Sequence, residues 1–385
     1  MIALARKGHL RLPAPVTCDI RSQLREELEA RFKDWGAPAY RLTQLLEWLY
    51  VHRATGWDQM TNIPKALRQQ LAGEFSLHEL TLARQQGARD TTRKFLWQLA
   101  DGAFIESVLI PANPALYSEA SDRQTLCVST QVGCAYGCRF CASGLEGWKR
   151  NLGVDEIVGQ ILAVERLAAA EAGGSSAPGN SRAVTNLVFM GMGEPLANYN
   201  NLLKALRILN APWGCGIGAR KITISTSGLA PQIRRLAEEP EQFQLAISLH
   251  GATDEVRNRI MPVNRKYPLN ELAAAAEQYQ KRKGRMITLE YILIEGVNDH
   301  LDQTAPLAKL AQRLHAKVNL IPYNKVEGLE WRRPAEEHCI AFAERLRQNG
   351  VTATLRLEKG HDIDAACGQL RLKTEKELAA QPAST

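Results

Sequence analysis

The alternation of hydrophobic and polar positions changes period twice along the chain. Between Tyr40 and Tyr50, leucines fall at 42, 45, 46 and 49, the three-and-four spacing of one helical face. A second helix is predicted after Pro64, running through Leu67 and Leu71. Phe95–Leu99 and Phe104–Ile110 then flank a turn at Asp101-Gly102, the pattern of a β-hairpin. From about residue 124 the pattern becomes a strand–helix repeat. Strands are expected at Thr125–Ser129, Thr185–Met190, Lys221–Thr226, Gln244–Leu249, Met286–Ile294 and Lys317–Ile321. Helices are expected after them, near 154–170, 200–210, 230–238, 269–283, 302–315 and 335–348. Six such units predict a parallel sheet with right-handed crossovers, short of the eight that close a full barrel. The expected architecture is therefore α/β, a partial (β/α)6 barrel with a small N-terminal helical-plus-hairpin accessory domain. Its boundaries are expected at 1–105, 106–359 and a tail at 360–385. Gly173–Asn180 has the composition of a flexible insertion.

In parallel α/β folds, chemistry gathers at the C-terminal ends of the strands. The loop after the first barrel strand reads Gln131-Val-Gly-Cys-Ala-Tyr-Gly-Cys-Arg-Phe-Cys-Ala142. Spacings of three and two residues bring Cys134, Cys138 and Cys141 within one short glycine-bearing loop, which suits iron–sulfur ligation. With three thiolates, one iron of a cubane stays open to a small molecule. A structural zinc would want a fourth ligand, commonly from a second Cys-x2-Cys pair. Disulfides are not expected of 8 cysteines in 385 residues with nothing resembling a signal peptide.

Other polar groups recur at the same rim: Met190-Gly-Met-Gly-Glu-Pro195, Ser225-Thr-Ser-Gly228, Ser248-Leu-His250 and Pro322-Tyr-Asn324. Each alone reads as a helix cap or polar loop; their recurrence at four strand ends favours a cofactor pocket. Cys127 lies on the first strand and Cys367 near the C-terminus. Each could be a buried small hydrophobe or a further cluster ligand. Cys18, Cys215 and Cys339 stand in no motif.

Charge adds a partner class. The net charge is +7, and residues 1–100 carry 15 Lys and Arg against 10 Asp and Glu. A basic N-terminal quarter suits a polyanion, although a solvated face has the same composition. No apolar run approaches membrane-spanning length, so a cytoplasmic protein without membrane contact is expected.

The cysteine spacing is the signature of the radical S-adenosylmethionine superfamily. With the rim motifs, Lys149-Arg-Asn-Leu-Gly153, Met261-Pro-Val-Asn264, Leu289–Asp299 and Gly360–Leu370, the chain resembles the bacterial dual-specificity 23S rRNA and tRNA adenine carbon-2 methyltransferases over most of residues 38–372. The stretch Leu42–Leu71 also resembles that family's N-terminal domain. The resemblance implies a 4Fe–4S cluster on Cys134, Cys138 and Cys141. It implies S-adenosylmethionine, two molecules per turnover, held by Gly193, Glu194, Ser225, Ser248, Leu249, His250 and Asn324. It also implies that Cys367 is methylated by one molecule, while the second yields a 5′-deoxyadenosyl radical. That radical would take hydrogen from the S-methyl group, and the methylene radical would add to the adenine. Cys127 would resolve the protein–RNA adduct through a disulfide with Cys367, and Glu106 would accept the proton. A one-electron donor such as flavodoxin and a monomeric state are further expectations. Two alternatives stand beside this reading: the related adenine carbon-8 23S rRNA methyltransferases of antibiotic resistance, and a non-catalytic iron–sulfur RNA-binding protein.

Overall fold

The computed structural model describes residues 18–88, 91–112, 121–173, 182–356 and 368–380. The accessory unit opens with α1 (Arg25–Asp34), α2 (Ala39–Tyr50) and α3 (Lys65–Glu74). Leu42, Leu45, Leu46 and Leu49 of α2 are buried, the face their spacing predicts. Met60 and Ile63 join them in the core, while Trp48 Nε1 donates to Asn62 Oδ1 at 2.6 Å and fixes the intervening loop.

Three strands follow: β1 (Thr81–Gly87), β2 (Arg93–Gln98) and β3 (Phe104–Pro111). The expected hairpin is β2–β3; β1 adds a third, polar strand that periodicity missed, because it packs at an edge and buries no residue fully. β3 pairs antiparallel with β4 (Gln124–Cys127), the first strand of the barrel. The accessory hairpin thus continues the barrel sheet.

β5 (Gln131–Gly133) and β6 (Trp148–Asn151) form a separate two-stranded ribbon around the cysteine loop. Gly133 cannot be replaced there: its φ is +75°, and a Cβ would lie 2.0 Å from the Gly147 carbonyl oxygen. α4 (Val154–Glu171) starts directly after β6. Glu156 accepts from the Gly153 N–H at 2.8 Å and clasps Arg150 of β6 through both oxygens, so ribbon and helix share one anchor.

The parallel part continues as β7 (Asn186–Phe189), α5 (Tyr199–Asn210), β8 (Ile222–Thr226), α6 (Ala230–Glu238) and β9 (Gln244–Ser248). A short α7 (Asp254–Ile260) precedes α8 (Leu269–Lys283), β10 (Thr288–Leu293), α9 (Thr304–Arg313), β11 (Lys317–Pro322) and α10 (Glu336–Gln348). All six expected strand–helix units are present. β12 (Ala353–Leu355) adds a seventh parallel strand beside β11, too short to register as a periodic run. The sheet order is β1-β2-β3-β4-β7-β8-β9-β10-β11-β12. The inner strands are apolar almost throughout (Leu187, Ile224, Ile247, Leu289, Leu320), as sheets covered on both faces require.

The last helix, α11 (Gln369–Ala380), was not read from the sequence, which suggested a tail there. It docks on the accessory hairpin: Leu370 is buried with Leu96 and Phe104. Cys367, most of Gly360–Leu370 and most of the Gly173–Asn180 insertion lie outside the described residues. Among the described residues, no helix is long and apolar enough to cross a membrane.

Candidate active site

A cavity of about 410 Å³ opens where the strand ends meet the cysteine loop. Cys134, Cys138 and Cys141 form one part of its wall, and each is partly exposed to it. Burial pushes the Cys134 thiol up to about 12 and raises Cys138 well above its ordinary value, each thiol's charge further opposing its neighbours'. Arg257 is the cation that eases Cys138. Three thiolates in such a place need the positive charge of bound metal. Among the described residues, no three His, Cys, Asp or Glu side chains converge as a single ion would require; a cubane binds each thiolate to a different iron. Phe140, within the loop, lays its ring edge-on to His250 at 4.9 Å between centroids, which fixes the loop against the end of β9.

The opposite strand ends carry the rim residues. Gly193 has φ +97°, and a Cβ there would lie 2.5 Å from Gln131 Cβ, so only glycine lets β7's end approach the ribbon. Glu194 is buried, and burial raises its carboxyl; the N–H groups of Ser227, at 2.7 Å, and Leu196, at 3.0 Å, oppose that rise. Those two contacts orient the carboxylate and leave it acceptor capacity for an ammonium group. The Ser225 and Ser248 hydroxyls stand 3.4 Å apart on adjacent strands. His250 holds a left-handed φ of 55°, uncommon outside glycine. Its Nδ1 accepts from the Ile292 N–H at 3.0 Å, and burial, with Arg257 nearby, holds the ring down to about 3 and therefore neutral.

Gly193, Glu194, Ser225, Ser248, His250 and Asn324 all line the cavity. Leu249 does not: its side chain is in the core, its N–H donates to the Glu290 carbonyl and its own carbonyl accepts from Arg257. It shapes the rim from behind. Four buried polar atoms around the cavity have no partner among the described residues: Asn324 Oδ1, Ser227 Oγ, Tyr323 Oη and Glu290 Oε2. Orphaned atoms at this density are what a polar ligand would satisfy.

Two contributors escaped the sequence reading. Glu290 projects into the cavity from inside the apolar run Leu289–Leu293, held by Asn319 Nδ2 at 3.0 Å. A lone carboxylate in a buried strand was the available signal. Arg257 is fully buried and braces three loops, donating to the Leu249 carbonyl at 3.0 Å, to Asn264 Oδ1 at 2.6 Å and to the Ser227 carbonyl. No sequence signal separates it from the exposed arginines near it.

The accessory hairpin closes the remaining side. Thr92, Lys94, Val108 and Ile110 line the cavity there, beside Cys127 at the end of β4. Glu106 is off the cavity wall, behind Lys94. Its Oε2 pairs with Lys94 Nζ at 3.0 Å and accepts from the Gly368 N–H at 2.7 Å, and its Oε1 accepts from the Arg371 N–H at 2.7 Å. It therefore caps the first turn of α11, one residue after Cys367. Arg371 ties the same helix to Glu146 of the cysteine loop at 2.8 Å.

Sheet, cysteine loop and rim together define a radical S-adenosylmethionine protein, with a 4Fe–4S cluster and S-adenosylmethionine as its cofactors. Residues 128–308 match the Radical SAM superfamily, and residues 19–77 match the ribosomal RNA large subunit methyltransferase N-terminal domain. The chain is 54% identical to a probable dual-specificity RNA methyltransferase RlmN 3 of Opitutus terrae, across 94% of this chain and 96% of that one. It is 44% identical to a probable dual-specificity RNA methyltransferase RlmN of Geobacillus kaustophilus, across 96% of both. A crystal structure of a radical SAM methyltransferase from Sphaerobacter thermophilus superposes with a TM-score of 0.83 at 44% identity, covering 91% of this chain and 98% of that one. The chain belongs to the RlmN family of dual-specificity RNA methyltransferases.

Proposed function

We propose that the chain methylates carbon 2 of adenine in 23S rRNA and tRNA, carrying the methyl group on Cys367. One observation supports this most: a single cavity joins the three loop cysteines, six of the seven expected cofactor contacts and Cys127. A non-catalytic cluster protein needs no such convergence of a second cysteine with a cofactor pocket.

When bound, the cluster and S-adenosylmethionine supply the electron and the carbon radical that remove hydrogen from an unreactive methyl group. The chain's residues do the rest. Glu194 holds the cofactor's ammonium group, and Ser225, Ser248 and Asn324 offer its hydroxyls and ring nitrogens directional partners. Neutral His250, packed on Phe140, fills the space beside the thiols without adding charge. The sulfur of Cys367 takes a methyl group from one cofactor molecule and presents the carbon to adenine after hydrogen removal by a second. Carbon 2 lies between two ring nitrogens and is electron-poor, so a carbon radical adds where a nucleophilic carbon is needed in ordinary methyl transfer. Tethering the methylene to the protein makes that addition intramolecular. The ring radical would then return one electron to the oxidised cluster and yield its carbon-2 proton to Glu106, behind Lys94; the Cys127 thiolate would attack the Cys367 sulfur, and the methylene carbon set free would take up a proton as the methylated base leaves.

The target base must be unstacked to enter the cavity. The accessory unit is the expected phosphate grip: Tyr40 is exposed with the Arg41 guanidinium 4.7 Å from its ring centre, a stacking pair available to RNA. Binding of a tRNA should weaken steeply with salt. A flavodoxin-type electron donor, a monomeric state and a cytoplasmic location complete the reading.

The test is anaerobic. Cluster-reconstituted protein, reductant, S-adenosylmethionine and unmodified rRNA or tRNA are combined, and nucleosides are resolved by mass spectrometry. 2-Methyladenosine that disappears in Cys367→Ala is the expected result. 8-Methyladenosine would move the chain to the related carbon-8 chemistry. Neither product, with 5′-deoxyadenosine accumulating, would refute an adenine substrate.

A further inference from the structure

The hairpin wall of the cavity presents a cation where the reaction as described uses none. Lys94 is among the residues that line the cavity, and its side chain is fully buried in the wall. Glu106, 2% exposed at its side chain, stands behind it at 3.0 Å. Buried ion pairs rarely stabilise a fold better than apolar packing of the same volume, so a pair placed between a reaction cavity and a docked helix calls for a functional reason. The cofactor contacts lie on the strand ends, whereas Lys94 lies beside Cys127, on the side left for the RNA base.

We propose that Lys94 is a catalytic residue in contact with the substrate: its ammonium group donates a hydrogen bond to a ring nitrogen next to carbon 2 of the target adenine. An ammonium has three donors and no acceptor, and a ring nitrogen of adenine is an acceptor. Donation there withdraws electron density from carbon 2 and stabilises the charge that shifts onto the ring as the methylene radical adds, which is electrostatic assistance of the transition state. The step balances simply. One carbon–carbon σ bond forms as a carbon–nitrogen π bond of the ring opens, the unpaired electron passes to the ring, and no bond to Lys94 is made or broken. Glu106 acts afterwards on the carbon-2 proton and meanwhile stabilises the charged lysine in its buried setting. The inference rests on the adenine carbon-2 reading, and it places Lys94 before addition and Glu106 after it.

That order gives the test. Lys94→Met leaves Glu106 without its cation and risks misfolding, so the pair is also neutralised together, as Lys94→Met with Glu106→Gln. Holoenzyme variants are assayed for 5′-deoxyadenosine, for S-methylation of Cys367 by peptide mass, and for the covalent protein–RNA adduct on denaturing gels. Glu106→Gln alone should accumulate adduct. The double variant should still make 5′-deoxyadenosine and methylated Cys367, with adduct lowered on the order of 100-fold, the scale of losing one transition-state donor. Lys94→Arg, which keeps a cation, should recover part of it. Equal adduct in the double variant and in Glu106→Gln overturns the role of Lys94 and leaves Glu106 intact. Loss of 5′-deoxyadenosine together with adduct would show a structural role and overturn it too. If Glu106→Gln turns over normally, the proton-acceptor reading falls. Lys94 is then judged on product: loss in Lys94→Met with recovery in Lys94→Arg supports it, and normal product overturns it. A second readout needs no turnover. Wild-type protein should bind RNA more weakly when the target adenine is replaced by 1-deazaadenine or 3-deazaadenine, and Lys94→Met should bind natural and deaza RNA alike; equal binding by the wild type contradicts the proposal.

Discussion

The two sides of the cavity are built in different ways. The strand-end side is made of short contiguous motifs: three cysteines in one loop, Gly193-Glu194 in one turn, Ser248 and His250 two residues apart. The hairpin side is made of residues far apart in the chain. The Gly368 N–H that reaches Glu106 comes from 262 residues away, and Lys94 meets Glu106 across two antiparallel strands. Local motifs suit a cofactor that is the same in every turnover. Long-range assembly suits a wall that must meet RNA, because each element can adjust without breaking the cofactor pocket.

Substitutions on the two sides should therefore separate radical generation from its use. The largest effect is expected from Cys138→Ser. Losing a cluster thiolate should lower both 5′-deoxyadenosine and methylated RNA by more than ~100-fold, since even indirect metal partners cost 10–100-fold. Iron content and product measured together check it; 5′-deoxyadenosine at the wild-type level would break the comparison. Gly193→Ala comes next. The added Cβ meets Gln131 in a left-handed backbone, and strain of roughly 1–3 kcal/mol should weaken S-adenosylmethionine binding about tenfold or more by equilibrium titration. Arg257→Met removes the brace of three loops and strands the Ser227 carbonyl and Asn264 Oδ1. Thermal unfolding should show a loss of about 3 kcal/mol, on the scale of buried acceptors left unpaired.

The smallest effect concerns pH. His250 is held at about 3 in the folded protein against an ordinary value of 6.5, so below pH 6.5 the unfolded chain takes up a proton that the folded chain refuses. Stability contributed by this residue should fall as pH drops from about 6.5 towards 3. His250→Asn, which keeps an acceptor for the Ile292 N–H, should flatten the slope of unfolding free energy between pH 7 and pH 5. An unchanged slope would mean the ring is protonated in place.

The same contrast explains what the sequence made legible. Six strand–helix units were readable because parallel strands are apolar in runs and helices amphipathic, each signal lying within one segment. The convergence of the cysteine loop and rim on one cavity was readable because each motif is short, contiguous and stands at a strand end. β12 was missed because three residues carry no period, and α11 because its docking depends on Glu106 and Leu96 rather than on its own amphipathicity. Lys94, Glu290 and Arg257 look like ordinary charged residues in sequence; burial and partner alone distinguish them.

The most direct test of the division is 5′-deoxyadenosine and covalent adduct measured in Cys127→Ala beside the wild type. Cys127 lines the cavity at the end of β4, where the two sides meet, and its proposed role is to release the adduct. The account predicts 5′-deoxyadenosine near the wild-type level, a protein–RNA adduct that persists on a denaturing gel and little free methylated base. Methylated RNA released at the wild-type rate, or 5′-deoxyadenosine lost along with it, would contradict the account.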